Sequence, residues 1–270
     1  MAFTYLFVPC SVSGQESDLA MEALRLEREI YAAPSVDVAN RAIMAKVEVR
    51  KAQRLYAEAA TEMMRVYTYA LDDELLGEYY YQRALCSYLA ADFEASLAAT
   101  SEARLYLTDT TALTRMYLVE ALAAGEVGDW ERSRQAAIGY WADASDEQRA
   151  ALDSLYDTAP KVLNPMVAWW LGLIPGVGHF YAGEVGSGLL SLAVNGAFVA
   201  FGVGEIGATH YLSAWLGAGG VLSTTYMLGQ ERARMFAERR NERVLRRFND
   251  SLREILLAET LFPSVLEMLN

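Results

Sequence analysis

A run of 70 residues with three formal charges constrains this chain more than anything else in it. From Lys161 to Gln230 only Lys161, Glu184 and Glu205 are charged. The flanks are charged and of opposite sign. Residues 15–160 carry 14 Lys and Arg against 26 Asp and Glu, a net of −12, and residues 231–247 carry seven Arg against three Glu, a net of +4. The formal total of −12 conceals this order of acidic, apolar and basic blocks. Apolar surface on that scale has to be withdrawn from water, into a core or a bilayer. A very apolar soluble bundle accounts poorly for it, because it gives no reason for seven arginines directly behind the apolar block.

The block holds three apolar runs. Residues 166–174 form a short one that ends at Pro175, whose ring and missing N–H break a helix. Residues 188–204 form a run of 17 and residues 211–229 a run of 19. A bilayer core needs roughly 20 helical residues, or about 17 at the low end, so the second and third runs qualify as spans. Both are rich in small residues, which let membrane helices approach closely. Gly188, Ala193, Gly196, Ala197 and Ala200 on one run, with Gly217, Gly220 and Ser223 on the other, suit a tight hairpin turning at residues 205–210. Asn195 is expected to bond across the pair, and Glu205 to sit in the turn, where a charge is tolerated.

The acidic front excludes nucleic acid as a partner, since phosphate binding needs a concentrated basic face. Cys10 and Cys86 are too few for a disulfide framework. The front contains no His, shows no metal-ligand spacing and implies no cofactor. Residues 1–14 read as the remnant of a secretory signal. Phe3, Tyr5, Leu6, Phe7 and Val8 give a short apolar core, and Val12-Ser13-Gly14 offers small residues ahead of Gln15. A basic n-region is missing, and a frayed apolar terminus is the alternative. Cys10 as a lipidated residue is disfavoured by Pro9 before it.

Gly and Pro are scarce from 15 to 160, strand-like alternation is absent, and Ala, Leu, Glu and Arg dominate, so the front is expected to be all helix. Breaks are expected near Pro34, at 71–73, at 108–111, at 125–129 and at 145–146. The segments between them repeat. Asp92-Phe93-Glu94 matches Asp129-Trp130-Glu131, with Phe93 and Trp130 37 residues apart, and the same step back reaches Tyr56. Each aromatic would open a second helix after a first at 39–50, 78–90 or 113–124, although 39–66 also reads as one long helix. This pattern resembles the tetratricopeptide family over about residues 39–145. The resemblance implies that Ala84 and Ala121 are the small contact residues of the first helices. It places Phe93 and Trp130 at the start of the second helices and Ala103 where a second helix packs on the next repeat. The period of 37 rather than 34, Ser96 and Ser133 in place of Ala, and a missing closing Pro depart from the family. Stacked helix pairs build an extended surface for a protein or peptide partner. Tyr79, Tyr80, Tyr81, Tyr88, Tyr106 and Tyr117 could line it or pack between helices.

The most specific stretch is Pro175-Gly176-Val177-Gly178-His179-Phe180-Tyr181-Ala182-Gly183-Glu184. It resembles a recurrent bacterial membrane-hairpin signature, Pro-Gly-x-Gly-(Gln/His)-x-Tyr-x-Gly followed by a membrane helix. It is also similar to small two-helix transmembrane domains, although their Arg after the His is missing. The resemblance implies a fold and a membrane location and no reaction. Physically, Gly176, Gly178 and Gly183 permit sharp backbone or close packing, and His179, Phe180 and Tyr181 suit a membrane interface.

Residues 230–257 read as an amphipathic helix, with Met235, Phe236, Val244, Leu245, Phe248, Leu252, Ile255 and Leu256 on one side and arginines on the other. The positive-inside rule puts this tail in the cytoplasm, and an exported front would then be periplasmic. That arrangement requires residues 166–181 to cross the membrane; if they only re-enter it, front and tail share a side. The limits expected are 1–14, 15–160, 161–230 and 231–270. The expected class is all-α: a helical-repeat domain, a transmembrane hairpin and a C-terminal amphipathic helix. The expected function is a membrane-anchored scaffold, not an enzyme, that grips a protein or peptide at the bilayer. An intramembrane enzyme or transport component using His179, Glu184, Glu205 and His210 is the alternative. A third option is a structural subunit whose hairpin packs in a larger membrane complex.

Overall fold

The computed structural model describes residues 11–142 and 145–257, with side chains from residue 17 onward. Helix accounts for 82% of the residues and no strand occurs among those described, so the chain is all-α. It divides into two compact units, Met1–Asp157 with Ser251–Asn270, and Thr158–Asp250. Most of the expected leader, with Cys10, lies outside the described residues; residues 11–14 belong to the first helix.

The first unit runs α1 (Ser11–Tyr31), α2 (Val36–Ala52), α3 (Tyr56–Met63), a 3-10 turn (Thr68–Ala70), α4 (Asp73–Leu89), α5 (Phe93–Tyr106), α6 (Thr110–Val127), α7 (Trp130–Tyr140) and α8 (Asp146–Asp157). Each helix packs on the next in sequence, apart from the short turn, and α4 also packs on α6. Residues 39–66 are therefore a helix pair and not one long helix. The helix starts follow from side-chain capping. Asp72, Asp92, Asp109 and Asp129 each accept from the backbone N–H three residues on, at 2.8–3.2 Å.

Equivalent geometry recurs at 37 residues. Arg54, Ala91 and Gly128 all adopt a left-handed backbone, with φ of 58°, 59° and 76°. At each of these turns the next residue's N–H closes a 2.9 Å bond onto the helix before it: Leu55 onto Arg50, Asp92 onto Ser87 and Asp129 onto Ala124. Inside the pairs, Ser96 Oγ donates to the Ala84 carbonyl at 2.9 Å and Ser133 Oγ to the Ala121 carbonyl at 2.7 Å. Serine thus fits where alanine was expected because its hydroxyl finds a carbonyl one helix away. Ala84, Ala103 and Ala121 are fully buried at these crossings.

Three charged residues at the same step are held between helices. Lys46, nearly buried, pairs with Glu27 at 2.6 Å and with Glu62. Arg83 pairs with Glu102 at 2.7 Å. Glu120, also buried, pairs with Arg132 at 2.7 Å and with Arg104. A buried charge survives only with such partners.

The second unit contains α9 (Pro165–Leu171), α10 (Val177–Tyr181), α11 (Val185–Gly207), α12 (Tyr211–Ser213), a π-helical turn (Ala214–Gly219) and most of α13 (Gly220–Leu257). Helix is continuous from 211 to 257, so the third apolar run and the basic tail form one rod. Their side chains change character but nothing between them breaks the backbone. The short first run stops at Leu171, earlier than its expected end at Pro175. Gly172 lies so close to α13 that a Cβ there would meet the Gln230 Cα at 2.8 Å.

The stripe that α11 turns inward is Gly188, Asn195 and Gly202, spaced by seven. Asn195 accepts from Thr225 Oγ1 at 3.0 Å across the helix pair. A Cβ on Gly202 would meet the Ala218 Cβ at 2.8 Å. Ala193, Gly196, Ala197 and Ala200, expected at this contact, lie on other faces and are exposed, and Gly196 and Gly220 face open space. The outward side carries Leu189, Leu190, Leu192, Val199 and Val203, all exposed. Among the described residues α11 is the one helix of 18 or more residues apolar enough to cross a membrane, and only 6% of its most apolar window is buried.

Candidate functional site

Residues 164–184 assemble the best-defined local structure of the second unit. Asn164 opens α9 by accepting from the N–H groups of Met166 (2.9 Å) and Val167 (3.3 Å), with Pro165 in the first helical position, where its missing N–H leaves nothing unpaired. Asn241 of α13 brackets the same loop, donating to the Leu163 carbonyl at 2.7 Å and accepting the Leu163 N–H at 2.9 Å. Tyr181 returns its hydroxyl to the Asn164 N–H at 3.2 Å.

The signature glycines mark places without room for a side chain. Gly176, at φ 84°, begins α10 against the Gly188 carbonyl. A Cβ on Gly178 would lie 2.5 Å from the Ala168 carbonyl oxygen and 2.7 Å from the Ala233 Cβ. Gly183 is left-handed at φ 84° and sits beneath the Arg240 guanidinium. The two short helices and α13 close around Ala168, Ala182 and Ala237, with Leu163, Tyr181 and Phe236 packed on them. His179 is buried, edge-on to Phe236 with centroids 5.5 Å apart. Phe180 is partly exposed and its ring covers Gly188. Pro175 lies in the turn before Gly176.

The four residues of the alternative reading, an intramembrane enzyme or transport component, fall into two pairs at opposite ends of α11. His179 and Glu184 precede the helix, and Glu184 lies 3.6 Å from Arg243. Glu205 and His210 close its far end, 3.4 Å apart, where Glu205 also accepts from Ser213 Oγ at 2.6 Å. Along α11 the stretch from Glu184 to Glu205 spans about 30 Å at helical rise, so the two pairs cannot share one reacting atom.

Beside His179 lies a cleft of about 400 Å³ between α10, α11 and α13. Leu190, Val194, Leu228 and Met235 form apolar walls, Asn195 and Thr225 a polar step, and Arg232 and Arg239 one rim. The arginine face continues along α13 through Arg243 and Arg246 to a second cleft beside Glu184. The sequence places these arginines on the polar side of an amphipathic helix and uses them as a topology marker, without a cleft beside them. Their spacing, 232, 239, 243 and 246, was the signal that they share a face. Met235, placed on the apolar side from sequence, stands with them and is exposed.

In the first unit Ala84, Phe93, Ala103, Ala121 and Trp130 lie at or beside the helix crossings. Phe93 leans on Tyr88 with centroids 5.7 Å apart. Tyr79, Tyr80, Tyr81 and Tyr88 are buried, Tyr117 is half-buried and Tyr106 is exposed. A cleft of about 570 Å³ opens at the N-terminal ends of α4 and α6, lined by Asp73, Glu74, Glu78 and Asp109 together with Arg115, which pairs with Glu78 at 2.9 Å. Burial raises the Cys86 thiol to about 12, which makes it inert. Among the described residues no group of three or more His, Cys, Asp or Glu is placed to hold a metal.

No protein-family model, curated protein or solved structure matches the chain.

Proposed function

We propose that the chain is a membrane-anchored interaction protein. In this reading α11 and the helix of residues 211–229 form a transmembrane hairpin, and the first unit is a tetratricopeptide-like array that binds a protein or peptide segment. The observation that carries the reading is α11: 23 residues with mean hydropathy 1.7 over their best window, 6% of that window buried. A water-soluble protein has no reason to leave that surface uncovered. The inward stripe of Gly188, Asn195 and Gly202 fits membrane packing, where small residues and one polar contact replace the hydrophobic effect. For the array, the support is the left-handed turn and the Ser-to-carbonyl bond, each repeated at 37 residues. The carboxylates around the α4–α6 cleft favour a basic segment as the bound partner.

The geometry also bears on sidedness. Residues 251–257 group with the first unit, and Arg253 donates to the Tyr88 hydroxyl at 2.9 Å and pairs with Glu126. This contact supports a reading in which front and tail share a side, set against the expected periplasmic front. With the arginines of α13 inside, the array is cytoplasmic, α9 and α10 re-enter rather than cross, and the hairpin's turn faces out. The reading is tested by fractionating cells that express the full chain. It expects the chain to stay in the membrane pellet through alkaline carbonate and to carry a co-purifying partner that the Asp73→Lys/Glu74→Lys variant loses. Recovery in the soluble fraction would overturn it.

A further inference from the structure

The cleft beside His179 has a composition that neither a protein core nor a peptide groove requires. Its lower walls, Leu190 and Val194 on α11 and Leu228 on α13, are apolar and run into the uncovered face of α11. Its rim is cationic. Arg232 and Arg239 stand seven residues apart on one face of α13, so their backbones are separated by about 10 Å along the helix, a gap that two guanidinium side chains can close. No Asp or Glu lines the cleft. Among the described residues neither arginine forms an ion pair within 4 Å, whereas Arg234, on another face, pairs with Glu238 at 2.9 Å. At the back of the cleft His179 is 3% exposed, and its Nδ1 has no hydrogen-bond partner among the described residues.

We infer that this cleft seats an anionic phospholipid, its phosphate between Arg232 and Arg239 and its acyl chains along Leu190, Val194 and Leu228. Guanidinium groups present paired N–H donors that match a phosphate's oxygens. Two of them outside any ion pair among the described residues, at the end of an apolar hairpin, lie where a bilayer supplies that phosphate. The apolar walls decide the source. Free phosphate would use the rim and leave the walls open, while a lipid fills both. The lipid would tie α13 to α10 and α11 and fix the start of the basic segment at the headgroup level. This inference rests on the membrane reading of the second unit.

The test uses the purified full chain in a neutral detergent, with lipid binding read by native mass spectrometry and thermal shift. The probes are phosphatidylglycerol, phosphatidylcholine and inorganic phosphate, each added separately. The expected result is selective retention of phosphatidylglycerol with a raised melting temperature. Affinity should fall about thirtyfold in the R232Q/R239Q double variant, roughly fivefold for each charge removed. The Arg234→Gln variant should bind as the parent does, and R232K/R239K should keep part of the affinity. Both arginines are exposed, so the lipid-free melting temperature of the double variant should match the parent. Equal binding of both lipids, an unchanged preference in R232Q/R239Q, or a shift reproduced by inorganic phosphate alone would each overturn the inference. Carbonate extraction of the same preparation's source membranes separates the two levels. A chain that stays in the pellet without lipid selectivity loses only the lipid site, and one that washes out loses the membrane reading beneath it.

Discussion

The two units use the same helices to solve opposite problems. In the first, apolar side chains are inside and charge is neutralised even where it is buried: Lys46 and Glu120 each meet two partners from other helices. In the second, alanines such as Ala168, Ala182, Ala233 and Ala237 are buried beside His179 and Asn195, while leucines, valines and Trp215 stand outside. Arg232, Arg239, Arg240, Arg246 and Arg247 form no ion pair there among the described residues. Water rewards the first arrangement, because burying large apolar groups drives folding. It does not reward the second. Close backbone contact and an inward polar bond are what hold helices together once the surroundings are themselves apolar. The difference teaches that helix content alone says little about this chain; what distinguishes its halves is which side of each helix is finished.

That comparison can be broken first at Gly178. A side chain there has to displace the Ala168 backbone, so Gly178→Val should cost about 3 kcal/mol or more and remove the second unit's thermal transition in detergent. Gly196→Ala, into open space, should leave that transition unmoved. Equal behaviour of the two variants would mean that close packing does not hold this unit.

A comparable loss is expected in the first unit from removing charge rather than adding bulk. Glu120→Ala leaves Arg104 and Arg132 without their shared partner and should cost about 3 kcal/mol in denaturant titration. A loss under about 1 kcal/mol would show that the buried pair behaves as a surface one.

The 37-residue equivalence is sharpened by Ser96→Ala and Ser133→Ala. Each deletes one bond to a carbonyl worth about 1 kcal/mol. Ser133→Ala should cost more, because Ser133 Oγ also lies 2.7 Å from the Tyr156 hydroxyl. A larger loss at Ser96 would contradict the assignment.

The smallest effect is on acid stability. Hydrogen bonds from Arg65 and Lys46 hold the Glu27 carboxyl down at about 2, below its ordinary 4.5. A depressed carboxylate stabilises the fold above its unfolded pKa, and that contribution is lost as pH falls through the folded one. The packing of α1 on α2 should therefore loosen between about pH 4.5 and pH 2, and less so in Glu27→Gln. Because Glu27 is 42% exposed, solvent screening keeps the effect small. Circular dichroism across that range reads it.

Much of the first unit was legible because its punctuation is local. An Asp that caps a helix and the aromatic after it are adjacent in sequence, so Asp92-Phe93 and Asp129-Trp130 announced both the helix starts and their spacing. The turn at Arg54 was harder, since its residue type gives no hint of a left-handed backbone. In the second unit the glycine-rich signature located the crowded turn, yet the register of α11 was misread. Small residues are spread around that helix, and composition cannot say which stripe faces the partner; Gly188, Asn195 and Gly202 do. The Arg232–Arg239 cleft depends on α13 continuing straight through residue 230, and the contrast of apolar and basic blocks suggested a boundary there instead.

The central claim, a cytoplasmic array and tail joined by a hairpin whose turn faces out, is tested most directly by cysteine labelling. Single substitutions Glu94→Cys, Thr209→Cys and Glu242→Cys are made on a Cys10→Ser background, where the buried Cys86 thiol stays unreactive. All three positions are exposed. In right-side-out membrane vesicles a membrane-impermeant maleimide should label the position-209 variant alone, and in inside-out vesicles the other two. Labelling of the position-94 and position-242 variants from opposite faces, or of all three alike in a soluble fraction, would contradict the account.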